Sequence, residues 1–289
     1  MKKLTLIFIL SGLSFFGQAQ TTLYLDNTGK KVKTFEECQY YITTTHDSVH
    51  FDKVYLRLYS KPKQLMKEQF FSSFIMKKKD GTQREWYVNG KIKEEENYND
   101  GKREGKHQAW FGNGRLYIDE SYKNDNLDGI AKEWYFTGQL KKDANYTDGV
   151  LTGQLLTYWI NGKIKRDDTY KKGELISGQC ADSIGNNIAH FDYILMPQFP
   201  ENAVGAYLAK NIRYPVAAQQ IGAQGRVIVQ FVVNIDGTII GAHVIQGVNP
   251  DLDAEAVRVV SKMPQWIPAK IDGEPIKVEY TLPVNFKLQ

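Results

Sequence analysis

A 24-residue period dominates the middle of this 289-residue chain. Gly90, Gly114, Gly138 and Gly162 keep that step, and so do Tyr98, Tyr122, Tyr146 and Tyr170. Trp86, Trp110, Trp134 and Tyr158 repeat it, as do Gly81, Gly105, Gly129 and Gly153. Gly101, Gly149 and Gly173 follow it too, with Asp125 where a fourth glycine is due. Self-similarity at a fixed short period means stacked copies of one supersecondary unit. Each unit reads as an aromatic strand and a turn at Asn89-Gly90, Asn113-Gly114, Thr137-Gly138 or Asn161-Gly162, then a polar strand ending in Tyr and a second glycine turn. One hairpin alone is unstable in water, so four must stand side by side and bury their aromatic residues against one another. Alternation then assigns Glu94-Glu95-Glu96 and Asp167-Asp168 to the solvated face.

The last third follows a different pattern. Val204, Tyr207, Leu208 and Ile212 recur at helical spacing over Glu201–Ile212. Val227, Val229, Phe231, Val233 and Ile235 alternate along a strand, and Asp236-Gly237 predicts a tight hairpin into a second strand over Thr238–Gly247. Asn249-Pro250-Asp251 supplies a helix cap, a proline at the first helical position and early acids. Leu252, Ala256, Val259, Val260 and Met263 line one face of that helix until Pro264 stops it. Val278–Leu288 is a final strand whose Pro283 confines it to a sheet edge or a bulge. The expected class is α+β: an all-β array of hairpin repeats, then a small unit ordered helix-strand-strand-helix-strand on an antiparallel sheet.

Two resemblances follow. The repeats over residues 81–178 resemble MORN-type repeats, on motifs such as Trp134-Tyr135-Phe136-Thr137-Gly138 and Tyr146-Thr147-Asp148-Gly149. Residues 196–289 resemble the C-terminal domain of TonB, the periplasmic energy-transducing protein of Gram-negative bacteria. The residues that carry this are Tyr214-Pro215, Ala217, Gly225 with its alternating strand, Asp236-Gly237, Ala256, Pro264, Trp266, Pro268-Ala269, Gly273-Glu274-Pro275 and Leu282-Pro283-Val284-Asn285-Phe286. Met196-Pro197-Gln198-Phe199-Pro200 is similar to the lead-in of Bacteroidetes-type members. The resemblance implies that the domain captures the TonB box of an outer-membrane receptor as an added strand, in energy-coupled transport. Carried onto this chain, it places the partner-binding residues at Asn211, Ile212, Arg213 and Tyr214, and at Thr281, Leu282, Val284, Asn285, Phe286, Lys287 and Leu288 along the edge. Homodimerisation through that same edge strand is a further implication.

Residues 1–19 read as an export signal: Lys2-Lys3, an apolar run over Leu4–Phe16, and small residues before Thr21. A run of thirteen residues is short of the ~20 that span a bilayer as a helix. The expected location is therefore the periplasm or cell envelope, with inner-membrane attachment and motor-protein partners only if this segment is retained. Without it, the alternative is an unanchored envelope scaffold in which repeats and domain bind proteins without transducing energy. Residues 20–80 read as a further β region that holds a degenerate repeat or none, and residues 179–195 as a short connector that leaves the repeat register.

The formal charge of +4 is unevenly spread. Residues 81–178 carry 16 basic and 16 acidic side chains, and residues 197–289 carry 8 of each, so neither offers the basic face that nucleic acid requires. Cys38 and Cys180 read equally as a disulfide of an exported protein or as two separate buried thiols. His46 and His50 flank Asp47 on one side of a strand or helix and lack a third ligand nearby, which reads as surface histidines rather than a metal pair. No nucleophile with a base, no carboxylate pair in a cleft and no phosphate-cradling loop stands out, so neither catalysis nor a bound cofactor or metal is expected.

Overall fold

A computed structural model describes residues 20–46, 53–200 and 203–288 of the chain. The expected signal over residues 1–19, together with Asp47, His50 and the Glu201 end of the first predicted helix, lies outside the described residues. The chain divides into two compact units between His190 and Phe191.

The first unit is one antiparallel sheet. Ahead of the repeats it holds β1 (Gln20–Leu25), β2 (Lys31–Val32), β3 (Tyr40–His46), β4 (Val54–Ser60), β5 (Gln64–Ser73) and β6 (Lys78–Lys79). The repeats supply β7 (Gly81–Trp86), β8 (Ile92–Asn99), β9 (Lys102–Trp110), β10 (Leu116–Lys123), β11 (Asn126–Leu127), β12 (Gly129–Trp134), β13 (Leu140–Thr147), β14 (Val150–Tyr158) and β15 (Ile164–Lys171). Then come β16 (Glu174–Ala181) and β17 (Asn187–Ile188).

Two turns alternate along the array. In the first, the Tyr87 N–H donates to Lys91 O and the Gly90 N–H to Tyr87 O, with Gly90 at φ +80°. Phe111–Arg115, Tyr135–Gln139 and Trp159–Lys163 repeat it bond for bond. It is the three-residue loop in which only glycine closes the bulge without strain. In the second, both central residues have positive φ: Asp100-Gly101, Asn124-Asp125, Asp148-Gly149 and Lys172-Gly173. Such turns match the strand twist. Asp125 takes φ +72° in place of glycine, and its Oδ1 accepts from the Arg103 N–H at 2.8 Å. Asp26–Lys30 and Asp182–Asn186 form the first turn as well. The sheet therefore starts before the repeats and continues past them through the hairpin of β16 and β17 to Ile188, where a connector was expected.

The buried positions differ from those expected of the aromatic residues. Gln83, His107, Ala131 and Leu155 occupy one 24-residue row and are buried, beside Ala144 and Asp168 of the row paired with them. The repeat tryptophans stay half-buried. A single-layer sheet has no second layer to bury a whole aromatic ring, so only its midline is closed off by its neighbours. Asp168 is fully buried with Arg166, whose Nη1 donates to Asp168 Oδ2 at 2.6 Å, and His190 Nε2 lies 2.9 Å from Asp168 Oδ1. This corrects the expectation of a solvated Asp168: the carboxylate is matched by a guanidinium. Cys38 and Cys180 are both buried and free, the second of the two readings.

The second unit contains β18 (Ile194–Leu195), α1 (Val204–Asn211), α2 (Val216–Gln220), β19 (Gly225–Val233), β20 (Ile239–Gln246), α3 (Pro250–Ser261), β21 (Ala269–Ile271), β22 (Glu274–Ile276) and β23 (Val278–Phe286). Asn249 caps α3, accepting from the N–H groups of Asp251 and Leu252. Leu252, Ala256, Val259 and Val260 pack on Val227, Val229, Phe231 and Val233 of β19 and on Leu282, Val284 and Phe286 of β23. Helix α2 was not foreseen, although Pro215 precedes a run of good helix formers. β18 joins β21 and β22 in a small separate sheet. Ile235 leaves the strand and is half exposed, because the hairpin closes over Asn234–Thr238 rather than at two residues.

A methyl group on Gly178 would overlap Asp168 Oδ1 and His190 Nε2. Gly178→Ala is therefore expected to destabilise the first unit by about 2 kcal/mol, in the range of overpacked cores. Gly153→Ala serves as the comparison: it meets nothing within 4 Å and suffers only its positive φ. Urea unfolding of both variants checks this.

Candidate functional site

The three-stranded sheet of the second unit runs β20-β19-β23, which leaves β23 at an edge. Nine residue pairs, from Gly225↔Phe286 to Val233↔Val278, hold β23 to β19. Alternation divides the expected partner-binding residues. Leu282, Val284 and Phe286 are core, whereas Thr281, Asn285 and Lys287 face solvent and Leu288 lies just beyond the strand. Pro283 stands opposite Ile228 and has no N–H to give. Proline sits without loss in an edge strand where its nitrogen points away from the ladder. Backbone direction alternates in a strand, so Thr281 and Asn285 turn their own N–H and C=O outward with it. Arg226 Nε donates to Asn285 Oδ1 at 3.1 Å and steadies that side chain. A shallow hollow at this end is lined by Gln224, Gly225, Asn285, Phe286 and Lys287.

The segment Asn211–Tyr214 is arranged differently. Arg258 Nη2 donates to Asn211 O at 2.8 Å, and the Arg213 N–H donates to Glu255 Oε1 at 2.6 Å. Arg258 Nε in turn donates to Glu255 Oε2 at 2.6 Å. Glu255 and Arg258, one turn apart on α3, thus clamp this backbone, and those two groups already have partners. Ile212 packs on the core. Tyr214 sets its ring edge-on to Phe286 at 5.8 Å, and its hydroxyl donates to Ala223 O. The structure therefore brings Tyr214 to the end of β23 and ties Asn211 and Arg213 to α3. Sequence reading missed Glu255 and Arg258, whose signal was an acid and a base three residues apart on a helix facing the Asn211–Arg213 turn.

In the first unit a charged set occupies one face of β8, β9 and β10. Glu96 lies opposite His107, which lies opposite Glu120. His107 Nε2 is 3.1 Å from Glu94 Oε1, and Nδ1 is 3.4 Å from Glu120 Oε2. Burial opposes the charge on this ring, but the bonds with Glu120 and Glu94 outweigh it and push the pKa up to about 9. Burial beside Glu96 and Glu120 pushes Tyr98 and Tyr122 up to about 12. Glu94 and Glu96 are half-buried, which corrects their expected solvation: His107 and Lys79 lie against them.

Residues 210–288 match the family described as the Gram-negative bacterial TonB protein C-terminal, and residues 79–100 and 127–148 match the MORN repeat variant. The chain thus carries a TonB C-terminal domain behind MORN-type repeats, as its motifs implied. No curated protein gives a match to the chain. Among the described residues no helix is long and apolar enough to cross a membrane.

Burial would raise the Glu255 carboxyl, yet the bonds from Arg258 and the Arg213 N–H hold it below its ordinary value. A carboxylate so held adds stability above its ordinary pKa near 4.5, and loses it as pH falls through the folded value. Glu255→Gln is expected to lower the stability of the second unit by about 1–2 kcal/mol at pH 7. The gap between the variant and the parent should narrow below pH 4.5, which thermal melts across pH 3–7 would show.

Proposed function

We propose that this TonB-family protein binds an extended segment of an outer-membrane receptor, the TonB box, as a strand added to β23, and so takes part in energy-coupled transport across the cell envelope. The observation that carries the proposal is the open edge of β23, where Thr281 and Asn285 turn unpaired backbone groups outward on either side of Pro283. An exposed edge is a template for another strand unless something blunts it. Here proline interrupts it, which discourages continuous pairing with another copy of the same edge and leaves two short stretches for a peptide.

Magnitudes set what the edge alone supplies. The stretch from Thr281 to Asn285 offers two donors and, with the Pro283 carbonyl, three acceptors, and net backbone bonds contribute roughly 0.5–1.5 kcal/mol each. The total, roughly 2.5–7.5 kcal/mol, falls short of the ~8 kcal/mol of a micromolar complex. Side-chain contacts in the hollow beside Phe286 and Lys287 make up the difference in this reading, which assigns affinity to the strand and selectivity to the hollow. Asn211 and Arg213 act indirectly, by fixing Tyr214 against Phe286.

Thr281→Pro removes one outward N–H and leaves the inward ladder intact. It is expected to weaken binding of a synthetic TonB-box peptide at least about tenfold, with unchanged circular dichroism. A variant that binds as well as the parent would overturn the assignment to β23. Retention of residues 1–19 in protein recovered from the envelope supports the force-transmitting role, whereas a soluble form beginning near Thr21 contradicts it and leaves an unanchored binding protein.

A further inference from the structure

We propose that Glu94, Glu96 and His107 form a site in the first unit for a divalent transition ion of the zinc type, with Glu120 as the residue that orients the ring. Their ligand atoms all lie within 4.8 Å of one another. Three neighbouring strands bring the set together on one face. Glu94 and Glu96 are two residues apart on β8, His107 sits opposite Glu96 on β9, and Glu120 opposite His107 on β10.

Two observations make the cluster fit a bound ion. The 3.1 Å between His107 Nε2 and Glu94 Oε1 is a hydrogen-bond distance that also lies near the ~3.3 Å between two ligands of one tetrahedral ion with bonds of ~2.0–2.1 Å, so an ion replaces the shared proton with little movement of either side chain. Glu120, whose side chain is 13% exposed, lies on Nδ1, the arrangement in which a carboxylate takes the Nδ1–H and leaves Nε2 as the ligand nitrogen.

The fold itself does not require these side chains. One and two repeats later, the Glu94 position is Ile118 and Lys142, and the His107 position is Ala131 and Leu155. The Glu96 position becomes Glu120 and then Ala144. Alanine and leucine satisfy the same buried row, with Ala131, Ala144 and Leu155 fully buried. Two carboxylates and one imidazole suit zinc better than magnesium or calcium, which favour all-oxygen sets. The three protein ligands leave a fourth position for water or a partner's side chain. Binding replaces the ring proton, which leaves to solvent.

The test is equilibrium dialysis of the untagged full chain against zinc chloride at pH 8, with metal content read by mass spectrometry and thermal melts run alongside. The expected result is one zinc ion per chain and a raised melting temperature. Glu94→Gln and His107→Gln should each lose both effects, whereas Glu120→Gln, which alters only the orienting group, should weaken binding about 10–100-fold. His243→Gln, at an exposed histidine of the second unit, should bind as the parent does. If His107→Gln fails to fold, the half-buried Glu94→Gln decides alone. A parent chain that takes up no zinc, or a Glu94→Gln chain that takes up as much as the parent, would overturn the site.

Discussion

Backbone pairing across tight hairpins is the interaction on which both units depend. In the repeats it is enforced locally: a glycine near φ +80 to +92° closes each first turn, and two positive-φ residues close each second one. Among the described residues no helix lies in the first unit to pack on the sheet, so layer packing does not set the order of strands. Every strand finds its partner because the preceding turn leaves no other choice. The aromatic residues then act as links between neighbours. The Tyr87 and Tyr135 hydroxyls reach the Trp110 and Tyr158 carbonyls of the next repeat at 2.7 and 2.8 Å, and Trp159 Nε1 reaches Ala181 O at 2.9 Å.

A structure built from local pairing is tolerant along its midline and demanding at its turns. The buried row changes from Gln83 and His107 to Ala131 and Leu155 without a change of fold, and opposite Leu155 stands Asp168, paired with Arg166 beside Gly178. That freedom allows charged groups to stand where a layered protein would need apolar ones, provided each is matched. Replacing one partner of a fully buried pair strands the other charge, at a cost of roughly 3–5 kcal/mol. In the second unit the same pairing stops at β23, and the open edge is what the proposed capture of a receptor segment uses.

Much of this was legible in the sequence, and the misses share a cause. The period fixed the turns, and the alternation in β19 and β23 with the Asn249-Pro250 cap fixed the layers of the second unit. The turns at Asp26–Lys30 and Asp182–Asn186 fall outside the period, since Gly29 lies 61 residues before Gly90 and Gly185 lies 23 after Gly162, and aspartate replaces the aromatic residue that marks the repeat. Its carboxylate accepts from the backbone two and four residues on and holds the same geometry by itself. Helix α2 was hidden because five residues are too few for a periodic signal. The burial of Asp168, and the grouping of His107 with Glu120, depend on cross-strand register, which emerges only once the 24-residue rows are laid side by side. Of the edge residues, the outward set at Thr281 and Asn285 followed from alternation, while the α3 clamp on Asn211 and Arg213 required tertiary structure.

Amide hydrogen exchange on the full chain, with and without a TonB-box peptide, measures the central claim most directly. Capture on β23 predicts that the Thr281 and Asn285 amides exchange rapidly in the free protein and become protected with the peptide, while those of β20, at the opposite edge, do not change. Protection confined to β20 or to the repeats, or none at saturating peptide, would contradict it.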